Sequence, residues 1–276
     1  MSTPSDPIVA GVDPSKPSIA RVYDYVLGGT NNFAIDRQVA GAFLSAVPEI
    51  AQVAKDNRSF LRRGVRYLVG EAGIRQIIDI GSGLPTVGNV HEIARELDPT
   101  TRVVYVDKDP FVLAHSRALL TDNETATVIA GDLLDPGSIF DDPAIHDRID
   151  QSQPFAVLLS GILHHLSDDQ NPDQLVAAIR DRLPVGGHLL ITNFVDPGEA
   201  RAKDLERAFI DGGLGTGRFR TVPEQLGYFT GLDLVEPGYV FANDWRPDAD
   251  TTSDSPVHSL YIAGIGRKGS PSPTPA

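Results

Sequence analysis

Residues 75–110 read RQIIDIGSGLPTVGNVHEIARELDPTTRVVYVDKDP. Ile77, Ile78 and Ile80 form a short β-rich apolar run with Asp79 inside it, and Gly81 and Gly83 follow at once. Val87, Val90, Ile93, Ala94 and Leu97 then recur at helical spacing, and a second apolar run, Val103 to Val106, stops at Asp107. The pattern predicts a βαβ unit with its glycines where strand passes into helix. Glycine at those two positions leaves room for a ligand against the backbone, where a Cβ would intrude. The helix that follows presents free N–H groups and the positive end of its dipole. A carboxylate at Asp107, 24 residues after Gly83, can accept two hydrogen bonds from the ribose hydroxyls of a nucleoside.

The loop also restricts the kind of nucleoside. The third glycine of a dinucleotide GxGxxG pattern is replaced by Thr86, and Pro85 precedes it. Asp79, two residues before the first glycine, suits a ligand with a cationic amino-acid end better than a pyrophosphate. DIGSG followed by VDKDP resembles the first two motifs of class I S-adenosylmethionine-dependent methyltransferases. The resemblance implies that the glycine loop runs along the methionine and ribose of the cofactor and that the second acid holds the ribose.

Working outward, the chain has 276 residues, enough for one large domain or one domain with an extension, and 41% of them are hydrophobic. It has no cysteine, so disulfides and thiolate metal sites are excluded, and no metal site is expected. No apolar run approaches the roughly 20 residues of a membrane span. The first residues, MSTPSDPIVAGVDPSKPS, lack the basic and apolar regions of a signal peptide. The net charge of −13, from 24 basic and 37 acidic residues, argues against nucleic acid as a partner, which would need a basic footprint. A cytoplasmic protein with a small-molecule substrate and no membrane partner is expected; nothing in the sequence sets its oligomeric state.

On the N-terminal side, residues 1–16 are proline-rich and expected to be disordered. Residues 17–72 are expected to be a helical extension or lid. Ile19, Val22, Tyr23, Val26 and Leu27 share one helical face, which Gly28 and Gly29 end, and Asn31 and Asn32 make a polar turn. Tyr23 and Tyr25 point in different directions from one helix, so one of them at most faces a ligand. Gly28, Gly29, Asn31 and Asn32 are the other candidates for a lid over the cofactor and acceptor. A further helix carries Arg58, Arg62 and Arg66 at intervals of four with Arg63 beside them, a ridge suited to surface ion pairs or, alternatively, to orienting the N-terminal helices or an anionic substrate.

On the C-terminal side, TVIA (127–130) is a third strand that leads to Asp132, placed to accept from an adenine amino group, and Leu133, placed to pack on the ring. PFAVLLS (154–160) is a fourth, nearly all apolar as a central parallel strand should be. It ends at Ser160 and Gly161, followed by His164 and His165. Ligands bind at the carboxyl ends of such strands, so either histidine can face the site as a proton acceptor. HLLITNF (188–194) is a fifth strand, and DGGLGTG (211–217) reads as a mobile connection rather than a phosphate loop, since no GK[ST] follows. LDLVEPGYV contains a sixth strand and HSLYIAG a last one, and residues 269–276 are an expected disordered tail.

The blocks PSIARVYDYVLGGTNNFAIDR, NRSFLRRGVRYL, IIDIGSGLPTVGNVHE, VVYVDKDP and LDLVEPGYVFANDWRP together resemble the actinobacterial S-adenosyl methyltransferase family, long labelled a domain of unknown function. The resemblance implies a Rossmann-like, doubly wound α/β sheet of seven strands in the order 3-2-1-4-5-7-6 over residues 73–268, its last strand antiparallel. It implies S-adenosylmethionine as cofactor and S-adenosylhomocysteine as product. Carried over by position, Gly81, Ser82 and Gly83 line the methionine and ribose, Asp107 holds the ribose with Lys108 beside the adenine, and Ser160 and Gly161 lie under the methyl donor. A cofactor-binding regulator without turnover is the alternative. A nicotinamide-dependent oxidoreductase is a further one, disfavoured by Thr86.

Overall fold

The computed structural model describes residues 10–86 and 88–270. At its centre lie β1 (Gln76–Ile80), β2 (Arg102–Asp107), β3 (Ala126–Ala130), β4 (Ala156–Ser160) and β5 (His188–Phe194), each parallel to its neighbours among these five. β6 (Asp233–Leu234), β7 (Val240–Phe241) and β8 (Tyr261–Arg267) complete it, β8 running antiparallel to β5, β6 and β7. The order is β3-β2-β1-β4-β5-β8-β6, with β7 also on β8. The expected order therefore holds, with the sixth strand broken into two short pieces. Pro237 and Gly238 stand at the break, where proline has no N–H to give a ladder.

Ten helices flank the sheet among the described residues: α1 (Ile19–Val26), α2 (Ala34–Ala46), α3 (Ile50–Arg66), α4 (Val90–Leu97), α5 (Pro110–Leu119), α6 (Pro136–Phe140), α7 (Pro143–Arg148), α8 (Pro172–Arg182), α9 (Ala200–Phe209) and α10 (Val222–Leu226). Three of them begin on an Asp-Pro pair. Asp109, Asp135 and Asp142 each accept a backbone N–H from the first turn, while the proline occupies a position whose N–H has no helical partner. Sequence reasoning had not placed these three helices, although the Asp-Pro pairs mark them.

Alternation along the strands sends side chains to two cores. Ile77, Val103, Leu158 and Leu190 face one, shared with α2, α3, α4 and α9. Ile78, Val104, Val157 and Leu189 face the other, shared with α6, α7 and α8. Residues 17–72 thus pack into the same core as the sheet. A buried ion pair, Arg21 to Asp36 at 2.7 Å, ties α1 to α2, and the Arg21 guanidinium also lies over the Phe33 and Phe111 rings. Of the segment expected to be disordered, residues 1–9 lie outside the described residues. Residues 10–16 form turns, with Val12 packed on a small cluster of Leu84, Phe111 and Val112. Residues 271–276 of the expected tail also lie outside. No described helix is long and apolar enough to cross a membrane.

Candidate active site

A cavity of about 670 Å³ opens at the carboxyl ends of β1, β2, β3 and β4, with α1 lying along it. All ten residues expected to hold the cofactor line it: Asp79, Gly81, Ser82, Gly83, Asp107, Lys108, Asp132, Leu133, Ser160 and Gly161. The two candidate histidines and Tyr23 line it too.

The loop after β1 is built around Asp107. Gly83 has a φ of +66° with nothing within 4 Å of where a Cβ would stand. Its N–H donates to Asp107 Oδ2 at 2.9 Å, and the Asp109 N–H donates to Oδ1 at 3.0 Å. A carboxylate has about four lone-pair sites, so two remain for a ligand on a side chain whose orientation is already fixed. Burial pushes the Asp107 carboxyl up, and those backbone N–H groups pull against it. Ser82 Oγ and Thr86 Oγ1 are buried without a hydrogen-bond partner among the described residues. The next helix, α4, starts only at Val90, and the Glu92 carboxylate accepts the Asn89 N–H at 2.7 Å. The helix expected directly after the glycines is therefore displaced and capped from within the chain; Val87 itself lies outside the described residues.

Asp79 lies on the cavity floor, pushed up to about 7 by burial, with the Arg58 cation opposing the shift and the Asp107 charge adding to it. Arg58 lines the same cavity from α3 and donates to the Gly88 carbonyl. The rest of the arginine ridge divides: Arg62 pairs with Asp248 and Asp250, Arg66 with Glu96, and buried Arg63 donates to the Trp245 and Ala242 carbonyls. At the far wall, Lys108 pairs with Asp132 at 3.2 Å over buried Leu133.

Between β4 and β5 a hydroxyl network gathers on Asn57. Asn57 Oδ1 accepts from Thr192 Oγ1 at 2.8 Å and Ser160 Oγ at 3.2 Å, and its Nδ2 donates to the Tyr23 hydroxyl at 3.2 Å. With the Thr192 proton committed to Asn57, the Tyr261 hydroxyl donates to Thr192 at 3.2 Å. A Cβ on Gly161 would stand 2.8 Å from that tyrosine oxygen, so glycine alone permits the approach.

His164 is held by Asn193. The backbone N–H of His164 donates to Asn193 Oδ1 at 3.2 Å, which fixes the amide's oxygen, and Nδ1 lies 3.0 Å from the same oxygen. Nδ1 therefore carries the hydrogen and Nε2 keeps a lone pair. Burial brings His164 down to about 4, and His165 well below its ordinary value, so both are neutral at pH 7. Beyond them the cavity is apolar, walled by Phe43, Phe194, Phe209 and Leu214.

The other lid candidates do not reach the cavity among the described residues that line it. Tyr25 packs against the main core. Asn32 Nδ2 donates to Asp24 at 2.9 Å and to the Gly29 carbonyl at 3.0 Å, and Arg37 holds the Asn32 carbonyl. A Cβ on Gly29 would collide with the Asp24 carboxylate at 2.1 Å. Gly28, Gly29, Asn31 and Asn32 thus belong to the turn that closes α1 and leads to α2. Asn57, Thr192, Asn193 and Tyr261 were missed from the sequence, and Arg58 was singled out only as one member of the arginine ridge. The usable signal was a polar residue on a buried face: Asn57 among Ala54 and Leu61, and Thr192-Asn193 inside an apolar strand.

A model of the S-adenosyl methyltransferase family matches residues 6–269. The structure is similar to that of a candidate methyltransferase from Thermobifida fusca (46% identity, TM-score 0.89, 95% of this chain and 98% of that one). It is also similar to a DUF574 family protein from Streptomyces avermitilis (34% identity, TM-score 0.88, 93% and 99%). Human N-acetylserotonin methyltransferase, solved in complex with S-adenosylmethionine, shares the fold at 15% identity and a TM-score of 0.51 over 93% of this chain and 64% of that one. No curated protein matches the chain.

Proposed function

The chain belongs to the S-adenosyl methyltransferase family, and from that premise we propose that it transfers a methyl group from S-adenosylmethionine to a small-molecule acceptor. The observation that carries the reading is one cavity with two unlike ends: charged and polar at the ends of β1 to β3, apolar and aromatic beyond Gly161.

The residues fit the cofactor. The orphaned Ser82 and Thr86 hydroxyl oxygens and the open space at Gly83 are what a bound nucleoside would complete. Asp107 would take the ribose hydroxyls, and Leu133 would pack on the adenine with Asp132 at its amino group. Asp79 and Arg58 offer opposite charges to the ammonium and carboxylate of the methionine end. A pyrophosphate would instead meet the acid Asp79, which disfavours a nicotinamide dinucleotide. When bound, the cofactor supplies a methyl group made electrophilic by its sulfonium. In-line displacement then depends on orientation. Gly161 admits the Tyr261 hydroxyl, and the Asn57 network fixes the side chains around it. The α1 helix along the cavity keeps water from the reacting atoms.

The test is release of S-adenosylhomocysteine from S-adenosylmethionine, with a cell extract divided by size. Turnover with the small-molecule fraction supports the reading. Turnover with the macromolecular fraction alone, or with neither, overturns it.

A further inference from the structure

We propose that the apolar end of the cavity is an acceptor subsite for an uncharged, ring-bearing small molecule with one hydroxyl or amine group, which it presents to His164. The proposal rests on the methyltransferase reading and adds the acceptor's class.

The walls are flat rings. Phe43 and Phe209 stack at 4.1 Å, the His165 ring lies parallel to Phe209 at 5.8 Å, and Phe194 meets His164 edge-on at 4.8 Å. Phe43, Phe194 and Phe209 are each at most 7% exposed, and Phe194 also stacks on Phe219 at 4.7 Å, so the rings that border the cavity are held in fixed orientations by their neighbours. Ring faces favour a planar partner in offset or edge contact. The cavity's size sets an upper bound. Sites of about 300–1,000 Å³ usually hold one drug-sized ligand, and here about 670 Å³ must hold the cofactor and the acceptor together.

No cationic side chain borders this end among the described residues. The charged side chains bordering the cavity are Arg58, Asp79, Asp107, Lys108, Asp109 and Asp132, grouped around the ends of β1 to β3, and Asp24, which is engaged by Asn32. An anionic acceptor would be buried there without a cationic partner. The same burial keeps both histidines neutral, so neither offers a cation to a carboxylate.

At His164 the end offers a lone pair of fixed direction. With Nδ1 of His164 given to Asn193, Nε2 accepts a hydrogen bond from the acceptor's O–H or N–H. In the transfer, the acceptor oxygen or nitrogen bonds to the methyl carbon, and the carbon–sulfur bond breaks with its electron pair left on sulfur. The acceptor's proton passes to Nε2, so the single positive charge moves from sulfur to the imidazole. A base held at about 4 takes that proton late in the step.

The glycine segment that read as a mere connection closes this end. Leu214 and Thr216 line the cavity, Thr216 Oγ1 lies 3.2 Å from His165 Nδ1, and a Cβ on Gly212 would stand 2.8 Å from Ala42 of α2. The glycines let the segment lie against α2 while Leu214 faces inward.

Calorimetry on the S-adenosylhomocysteine complex tests the class, with phenol, aniline and 2-naphthol set against benzoate and 2-naphthoate. The expected result is that at least one neutral compound binds tenfold or more tightly than its matched carboxylate. Leu214→Asp should abolish that binding while leaving S-adenosylhomocysteine affinity within twofold. Should that variant misfold by circular dichroism, Thr216→Lys makes the same test. Carboxylates that bind as well as the neutral compounds, or a complex that binds none of the panel, would overturn the inference and leave the cofactor reading intact. Failure of S-adenosylhomocysteine itself to bind would instead strike the methyltransferase reading.

Discussion

The two ends of the cavity differ in charge, in where the chain supplies them and in what holds their side chains. The nucleoside end comes mostly from loops that directly follow β1, β2 and β3, and its acid Asp107 is aimed by neighbouring backbone N–H groups. The apolar end is assembled from α1, α2, α3, β5, α9 and β8, and its polar atoms are aimed by side chains distant in sequence, such as Asn57 on Thr192 and Asn193 on His164. A side chain aimed by neighbouring backbone depends on local geometry alone. An acceptor site has to be shaped by tertiary packing, which can change without disturbing the first.

The largest expected effect is at the nucleoside end. With Asp107 as the proposed ribose ligand, Asp107→Ala should cost two charge-assisted hydrogen bonds and weaken S-adenosylhomocysteine by about 2–4 kcal/mol, read by calorimetry. A loss below tenfold would place the ribose contact elsewhere. At the apolar end, His164→Ala should lower kcat by about 10²-fold, the low end for acid–base catalysis because so weak a base contributes little, with cofactor affinity unchanged. If cofactor affinity fell with kcat, the two ends would not be separable.

Much of this division follows from what a sequence displays. Asp79, Gly81, Gly83, Asp107 and Asp132 were legible because each stands at a fixed offset from an apolar strand, and the strands determined the sheet. The two histidines were legible as positions after β4 but not as roles, since the Asn193 contact that fixes the tautomer lies 29 residues away. Arg58 looked like part of a solvated ridge. Only the packing of α3 against the sheet separates it from Arg62 and Arg66. The Gly28 to Asn32 turn misled because a glycine pair and an amide pair suit a binding loop and a helix end equally well.

Smaller effects sharpen the comparison within the nucleoside end. Arg58→Ala should weaken S-adenosylhomocysteine about 10- to 100-fold, the worth of one charged hydrogen bond, and leave 5′-methylthioadenosine, which lacks the amino-acid end, unaffected. Equal losses for both ligands would make Arg58 a structural residue. The smallest effect is with pH. Asp79 sits near 7 without ligand, facing Arg58 from α3, Asp107 from β2 and the Tyr105 hydroxyl. A bound ammonium favours its charged form, so binding releases a proton. Affinity should then fall by up to about tenfold per pH unit below 7 and level off above it, a dependence that Asp79→Asn abolishes.

The most direct measurement is calorimetry of the unmodified chain with S-adenosylmethionine, S-adenosylhomocysteine and NAD. The account predicts that the first two bind at one site per chain and that NAD does not. Tighter binding of NAD, or no binding of either S-adenosyl compound, would contradict it.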